Sequence, residues 1–264
     1  MSGFSAAWLA LREPYDRRAR NADVLDAVVT AFASHVSLNV ADIGCGTGST
    51  FRAVSPRLPA GQRWRLYDND LSLLARAAAA DSVTTVPLDL ARDLEGALDG
   101  PVDLVTTSAL LDLVSADWLD RFATETAARR LPVYAALTYD GRAALEPADP
   151  LDRQVIEAVN RHQRTDKGFG PALGPAAAQA AVERFERLGY SVEQGPSDWV
   201  FQPGDSEIQA ETLGGWVAAT REIGGVPDAE LANWLERRQE WIVEGRSIIR
   251  VGHVDLFARP AGRR

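Results

Sequence analysis

The sequence predicts an α/β fold, a mostly parallel sheet with helices on both faces. Three observations lead there. Between residues 21 and 140, short apolar stretches bounded by turn residues alternate five times with stretches of helical periodicity, the pattern of consecutive strand–helix units. A glycine-rich turn, Gly44-Cys45-Gly46-Thr47-Gly48, separates the first strand from its helix. Acidic residues stand at the ends of the first three strands: Asp42, Asp68 and Asp89.

The elements follow in order. Residues 21–36 place Val24, Leu25, Val28, Val29 and Phe32 on one helical face, behind Asn21 as N-cap. "LNVADIG" reads as a short buried strand, and "GTGSTFRAVSPRL" turns into a helix. "RWRLYD" is the second strand and "LSLLARAAAA" the second helix of the alternation. "SVTTVPLD" is the third strand, with a short helix through Leu98. "PVDLVTTSALLDLV" is a fourth strand running into a loop, "ADWLDRFATETAARR" a helix, and "PVYAALTYD" the fifth strand. Beyond it, "GRAALEPADP" reads as a turn and "LDRQVIEAVNRH" as an amphipathic helix. "AAAQAAVERFERLGY" is a helix stopped by Gly189. "SVEQGPSDWVF" is a sixth strand interrupted at Gly195-Pro196. Two further helices, residues 206–223 and 228–245, precede a last strand at 249–260.

Composition narrows the function. The chain has 264 residues, 46% apolar and 25% charged, ordinary for a globular protein. Net charge is 28 − 37 = −9, which disfavours a general nucleic-acid binder. The single cysteine, Cys45, leaves no internal disulfide and no cysteine cluster. His35, His162 and His253 lack metal-ligand spacing, so no metal is expected. "MSGFSAAWLALREPYD" is unlike a signal peptide, and no run reaches the ~18 apolar residues of a membrane helix. The expectation is a cytoplasmic protein with no membrane and no nucleic-acid partner. Nothing in the sequence signals an oligomeric state.

The glycine turn carries the functional reading. Glycines are needed where φ must be positive and where a ligand comes within van der Waals distance of the main chain. A dinucleotide fingerprint matched from Gly44 puts Ser49 at its last glycine, whereas (D/E)-x-G-x-G-x-G fits from Asp42 to Gly48 at every position. The second pattern resembles motif I of the class I S-adenosylmethionine-dependent methyltransferases. Asp68 lies twenty positions after Gly48 at the tip of the second strand, where a carboxylate can accept ribose hydroxyls. Asn69 adjoins it, and Asp70 is expected to cap the next helix. The resemblance covers residues 22–140 and, more loosely, the last strand. It implies a Rossmann-like seven-stranded, mostly parallel sheet with an antiparallel last strand, and extra helices forming a cap. It implies S-adenosyl-L-methionine as cofactor, held by Asp42, Gly44, Cys45, Gly46, Gly48, Asp68 and Asn69. Asp89 and Leu90 would read the adenine, and Ser108-Ala109-Leu110 would line the methionine part. Asp89 could equally cap the short helix after it. One domain is expected over 1–264: N-terminal helices at 1–36, cofactor-binding core at 37–140, cap helices and sixth strand at 141–248, and last strand at 249–260.

Catalytic candidates come from the C-terminal edge of the sheet, where such folds bind ligands. They are Asp112, after the fourth strand, and Tyr139, at the end of the fifth. His162 joins them as a base with an ordinary pKa near neutrality. "RHQRTDKGFGPALGP" holds Arg161, His162, Arg164 and the only lysine, Lys167, before an irregular glycine–proline loop. One reading is a clamp in which Arg161, Arg164 and Lys167 bind an anionic small-molecule acceptor. The other is cations complementing a helix C-terminus. Trp199, Trp216, Trp234 and Trp241 are taken as core and His35 and His253 as structural, while Arg12, Tyr15 and Arg20 sit on a helix that could cover the cofactor. Methyl transfer to a small anionic molecule is the expectation. A protein or tRNA methyltransferase, a non-catalytic S-adenosylmethionine-binding protein and a nicotinamide oxidoreductase are the rivals.

Overall fold

The computed structural model describes residues 4–77 and 82–261. Residues 78–80, the end of the helix read in "LSLLARAAAA", lie outside them. Helix α1 (Ala6–Ala19) is capped by Ser5, whose hydroxyl accepts from Trp8 N, and α2 (Ala22–Phe32) by Asn21, whose Oδ1 accepts from Val24 N at 3.0 Å. Strand β1 (Leu38–Ile43) leads through the glycine turn into α3 (Ser49–Val54). Then come β2 (Gln62–Asp68), α4 (Leu71–Ala77), β3 (Val83–Pro87), α5 (Leu94–Leu98), β4 (Leu104–Ser108), α6 (Ala116–Ala128) and β5 (Val133–Glu146). The rest is α7 (Asp152–His162), α8 (Ala177–Arg187), β6 (Tyr190–Pro196), β7 (Trp199–Phe201), α9 (Ser206–Ile223), α10 (Asp228–Val243) and β8 (Ile248–Pro260).

The sheet order is β3-β2-β1-β4-β5-β8-β6, with β7 also on β8. Strands β1 to β5 pair in parallel, and β8 runs antiparallel to both β5 and β6. The strand order reverses between β1 and β4, which opens a crevice at their C-terminal ends. Aliphatic residues of the central strands point alternately into two cores. One lies against α5, α6 and α8, with Phe122 and Phe185 fully buried; the other lies against α2, α3 and α4, with Trp64. A third core, around Trp234, Leu213 and Phe201, joins α7, α9 and α10 to the extended ends of β5 and β8. No helix among the described residues is long and apolar enough to cross a membrane.

Two expectations need correction. The segment read as a turn at 141–150 continues β5 to Glu146. The register shifts around Leu137 and Gly141 absorb the irregularity, and Ala143 to Glu146 then pair with Val251 to Ile248. Gly141 marks a close approach rather than a chain reversal, since a Cβ there would lie 2.8 Å from Pro175 Cβ. Among the described residues the sheet has eight strands rather than seven. The interrupted sixth strand divides into β6, facing residues 254–260 of β8, and β7, facing 249–251.

Candidate active site

The glycine turn takes the backbone the sequence calls for. Gly44, Gly46 and Gly48 have φ of +64°, +53° and +81°, a region that favours glycine. Gly46 N–H donates to Asp68 Oδ2 at 2.8 Å, and Asp70 N–H donates to Asp68 Oδ1 at 3.0 Å. The carboxylate at the tip of β2 is thereby fixed against the turn after β1. Asp70 caps α4 through Ser72 N (2.8 Å) and Leu73 N (3.3 Å). Asn69 is exposed at the same tip. Asp89 accepts from Ala91 N at 3.1 Å and pairs with Arg92 at 3.4 Å in the turn after β3, while the short helix α5 is capped by Asp93, whose side chain accepts from Gly96 N. Leu90, next to Asp89, is buried, and its carbonyl takes Trp118 Nε1 at 2.7 Å.

These strand tips fit an adenosine-bearing cofactor. Each Asp68 oxygen accepts one main-chain N–H and keeps a further lone pair for a ribose hydroxyl. The turn is covered from above: Leu9 of α1 stands 3.2 Å from where a Gly46 Cβ would be, and Leu110 stands 3.2 Å from a Gly44 Cβ. Helix α1 is tied to α3 by Glu13–Arg52 at 2.6 Å. Of the α1 residues singled out in the sequence, Tyr15 turns away to Asp205 (3.0 Å). Arg20 is buried against Tyr134 Oη (3.2 Å), and that hydroxyl donates to Asp255 at 3.1 Å.

Asp42 is fully buried below the turn. Its Oδ1 accepts from Thr106 Oγ1 at 2.7 Å, and its Oδ2 has no partner. Burial pushes its pKa up to about 7, and burial pushes Asp112 up to about 6, both from 3.8. The folded chain therefore holds more protons on these two groups than the unfolded chain between pH ~4 and ~7, and their contribution to stability falls as pH rises through that window. Asp42→Asn keeps an acceptor for Thr106 and removes the titration. The melting temperature of the variant, relative to wild type, is expected to rise progressively over that range in thermal unfolding. A difference independent of pH contradicts the assignment.

A cavity of about 420 Å³ opens on the same edge of the sheet as the glycine turn; the turn residues do not line it, and Leu110, next to the floor residue Ala109, packs on Gly44. Its floor is the C-terminal edge of the sheet: Ala109 and Asp112 after β4, and Leu137 and Tyr139 in β5. Ala109 and Leu137 have φ of +51° and +55°, which is uncommon for residues with a side chain and recurs at functional sites. Trp8 and Arg12 of α1, His162 of α7, Trp216 of α9 and Trp199 of β7 build the walls. Arg12 forks onto Asp16 (2.9 and 3.2 Å) and lies 4.8 Å above the Trp199 ring, while Trp199 Nε1 donates to Asp16 at 2.9 Å.

All three catalytic candidates reach this cavity, in unequal condition. Asp112 is 5% exposed and its Oδ1 has no hydrogen-bond partner. Tyr139 Oη donates to Asn160 Oδ1 at 2.8 Å, and burial raises its pKa, so it stays protonated. His162 Nε2 faces Glu222 at 2.9 Å, and Lys167 Nζ stands 3.3 Å from Nδ1. Both ring nitrogens are engaged. Ser108 closes β4 beside this floor, half-buried. Arg161, Arg164 and Lys167 are not among the lining residues. Arg161 reaches the carbonyl of Gly224 after α9 at 3.3 Å, and Lys167 packs on His162. The glycine–proline loop is a brace instead: Leu173 N–H donates to Val114 O (2.8 Å) and Gly174 N–H to Asp112 O (3.0 Å). It fixes the segment that carries Asp112.

Sequence reasoning missed part of this wall. His253, read as structural, lines the cavity; its Nδ1 faces Val251 O at 3.1 Å, and burial pushes its pKa down to about 3. Glu211 and Thr212 of α9 also line it, and no local signal marks them. Trp199 and Trp216 are buried, as the core reading requires, and form wall as well.

No family model and no curated relative matches the chain. Solved structures do. A cyclopropane-fatty-acyl-phospholipid synthase-like protein from Lactobacillus casei superposes with TM-score 0.54 at 13% identity, over 93% of this chain and 98% of that one. The cyclopropane synthase MmaA2 from Mycobacterium tuberculosis gives 0.51 at 11%, over 97% and 95%. The YcgJ protein from Bacillus subtilis gives 0.50 at 15%, over 92% and 100%. The chain shares the Rossmann-like α/β fold of these proteins. At these identities the likeness concerns the fold, and activity must be argued from the site.

Proposed function

We propose that the protein transfers a methyl group from S-adenosyl-L-methionine to a small molecule held in the cavity on the C-terminal edge of the sheet. The observation that supports this is a half-open, aromatic-walled cavity on the C-terminal edge of β4 and β5, on the same sheet edge as a left-handed glycine turn pinned to the Asp68 carboxylate. Asp68, with Asn69 beside it, would hold the ribose. Asp89 and Leu90 would flank the adenine. Gly44, Cys45, Gly46 and Gly48 would let the main chain approach, with Asp42 beneath them, and Ser108 would border the methionine part.

The cofactor supplies an already activated methyl group. This chain's residues then orient an acceptor, exclude water and take its proton. Asp112 is the candidate base, because Tyr139 remains protonated and His162 is engaged on both sides. A cavity walled by α1, α7 and α9 suits a small acceptor better than a protein or tRNA. An anionic acceptor would have to meet Arg12, and that guanidinium is already forked onto Asp16.

Incubation with methyl-labelled S-adenosylmethionine and a fractionated cell extract tests the reading. Label is expected in the small-molecule fraction. Label confined to protein or RNA contradicts the proposed acceptor class, and no transfer to any fraction favours a non-catalytic binding protein.

A further inference from the structure

Resting on the methyltransferase reading, we propose that the cavity takes an amine on an apolar body, and that Asp112 receives the proton of the attacking nitrogen. Four observations converge on it.

The first is charge. Arg12 is the one arginine or lysine on the wall among the described residues, and its fork onto Asp16 neutralises it before any ligand arrives. His253 is held neutral by burial next to Arg12. Against these stand two carboxylates, Asp112 on the floor and Glu211 on the exposed side of α9. A carboxylate or phosphate ligand would lose its water beside like charges, which is costly. An ammonium would gain them as partners.

The second is an unmet hydrogen bond. Asp112 is buried, lines the cavity and has an oxygen without a partner. A buried acceptor of this kind calls for a donor, and the N–H of an amine supplies one. Thr212 Oγ1, also buried and unpartnered, lines the same space.

The third is the aromatic wall. Phe4, Trp8, Tyr139 and Trp216 face the cavity along with Trp199. Ring faces attract ammonium groups and bury apolar bodies alike. The fourth is position. Asp112 follows β4, and the loop that carries it is stitched to the 171–174 segment through Gly174 N and Leu173 N. The base is thus held on the same floor as Ala109 and Leu137, at the C-terminal edge of the sheet from which the methyl group would be delivered.

The step balances as follows. The ammonium passes a proton to the Asp112 carboxylate and becomes a neutral amine. Its lone pair forms the bond to the methyl carbon as the carbon–sulfur bond breaks, with that electron pair staying on sulfur. The positive charge moves from sulfur to the methylated nitrogen, and the Asp112 proton leaves to solvent as product departs.

The test is a binding titration read by intrinsic tryptophan fluorescence, since Trp8, Trp199 and Trp216 line the cavity. The probes are phenethylamine and phenylpropionate, matched in size and opposite in charge, at pH ~8, above the raised pKa of Asp112. Phenethylamine is expected to bind at least about tenfold more tightly. Asp112→Asn erases that preference. Glu211→Gln, at an exposed position, lowers it separately, which keeps the test readable if the buried substitution perturbs folding. Adding S-adenosylhomocysteine, whose sulfur is uncharged, leaves amine binding in place. Phenylpropionate binding as tightly as the amine, or neither probe binding, overturns the proposal. Displacement of the amine by S-adenosylhomocysteine also overturns it, because the cation would then occupy the cofactor's place. Amine selectivity without any binding of S-adenosylhomocysteine upholds the amine site and removes the methyltransferase reading instead.

Discussion

Asp112→Asn is expected to lower the methyl-transfer rate by about 10²- to 10⁴-fold, the usual worth of a positioned general base, while leaving S-adenosylhomocysteine affinity within a few-fold of wild type. The substitution keeps size and shape and removes only the proton-accepting charge. The rate should also carry a pH signature. Asp112 accepts a proton only when ionised, and burial has raised its pKa to about 6. Wild-type kcat/KM is therefore expected to fall as pH drops through that value, and the asparagine variant to lose this limb. Its surroundings include Arg12, Tyr139, His162, Glu211 and His253, of which Arg12 opposes the upward shift. A variant rate within a few-fold of wild type would return the base role to His162.

The second large effect concerns stability. Arg238 of α10 is fully buried and ion-paired with Asp152 at the start of α7, and it also donates to the Pro147 carbonyl at 2.6 Å. Trp234 Nε1 donates to the other Asp152 oxygen at 2.8 Å, and Arg237 reaches Asp149 at 2.7 Å. The Arg238 guanidinium thus joins α10 to the start of α7 and to the residue that follows β5. Arg238→Ala leaves Asp152 short of its charge partner and opens a space beside Trp241, whose ring centroid lies 4.9 Å from the guanidinium carbon. A loss of about 3–5 kcal/mol follows from breaking one side of a buried pair, a large part of the usual 5–15 kcal/mol. Urea unfolding measures it. Arg238→Met with Asp152→Leu should recover much of the loss, because removing both charges costs less than stranding one. A single variant as stable as wild type would show that the pair contributes nothing.

What the sequence made legible was local. Asp42 to Gly48 encodes its turn through backbone demands that only nearby residues must meet, and Asp70 announces itself as a cap by its distance from Ser72 and Leu73. The alternation of strands and helices fixes the parallel half of the sheet. The continuation of β5 to Glu146 was not legible, because Gly141 and Pro147 look like chain reversal until β8 is present to pair with Ala143 and Leu145. The cavity was legible only in part for the same reason. Its wall comes from six helices and strands and the loop after β4, spread between Phe4 and His253, and residues such as Glu211 and His253 acquire meaning from partners far away in the chain. Arg161, Arg164 and Lys167 drew attention as a rare cluster of cations, yet none of them lines the cavity.

Thermal unfolding with S-adenosylmethionine, S-adenosylhomocysteine or NAD, on wild type and Asp68→Ala, tests the central claim most directly. A ligand at ~100 times its Kd adds roughly 2.7 kcal/mol to a fold that binds it. Both adenosyl ligands are expected to raise the wild-type melting temperature, and NAD to leave it unchanged. Asp68→Ala should lose the shift, since it removes the carboxylate that the glycine turn holds in place. A shift with NAD alone, or with none of the three, would contradict a methyltransferase and leave only the shared fold.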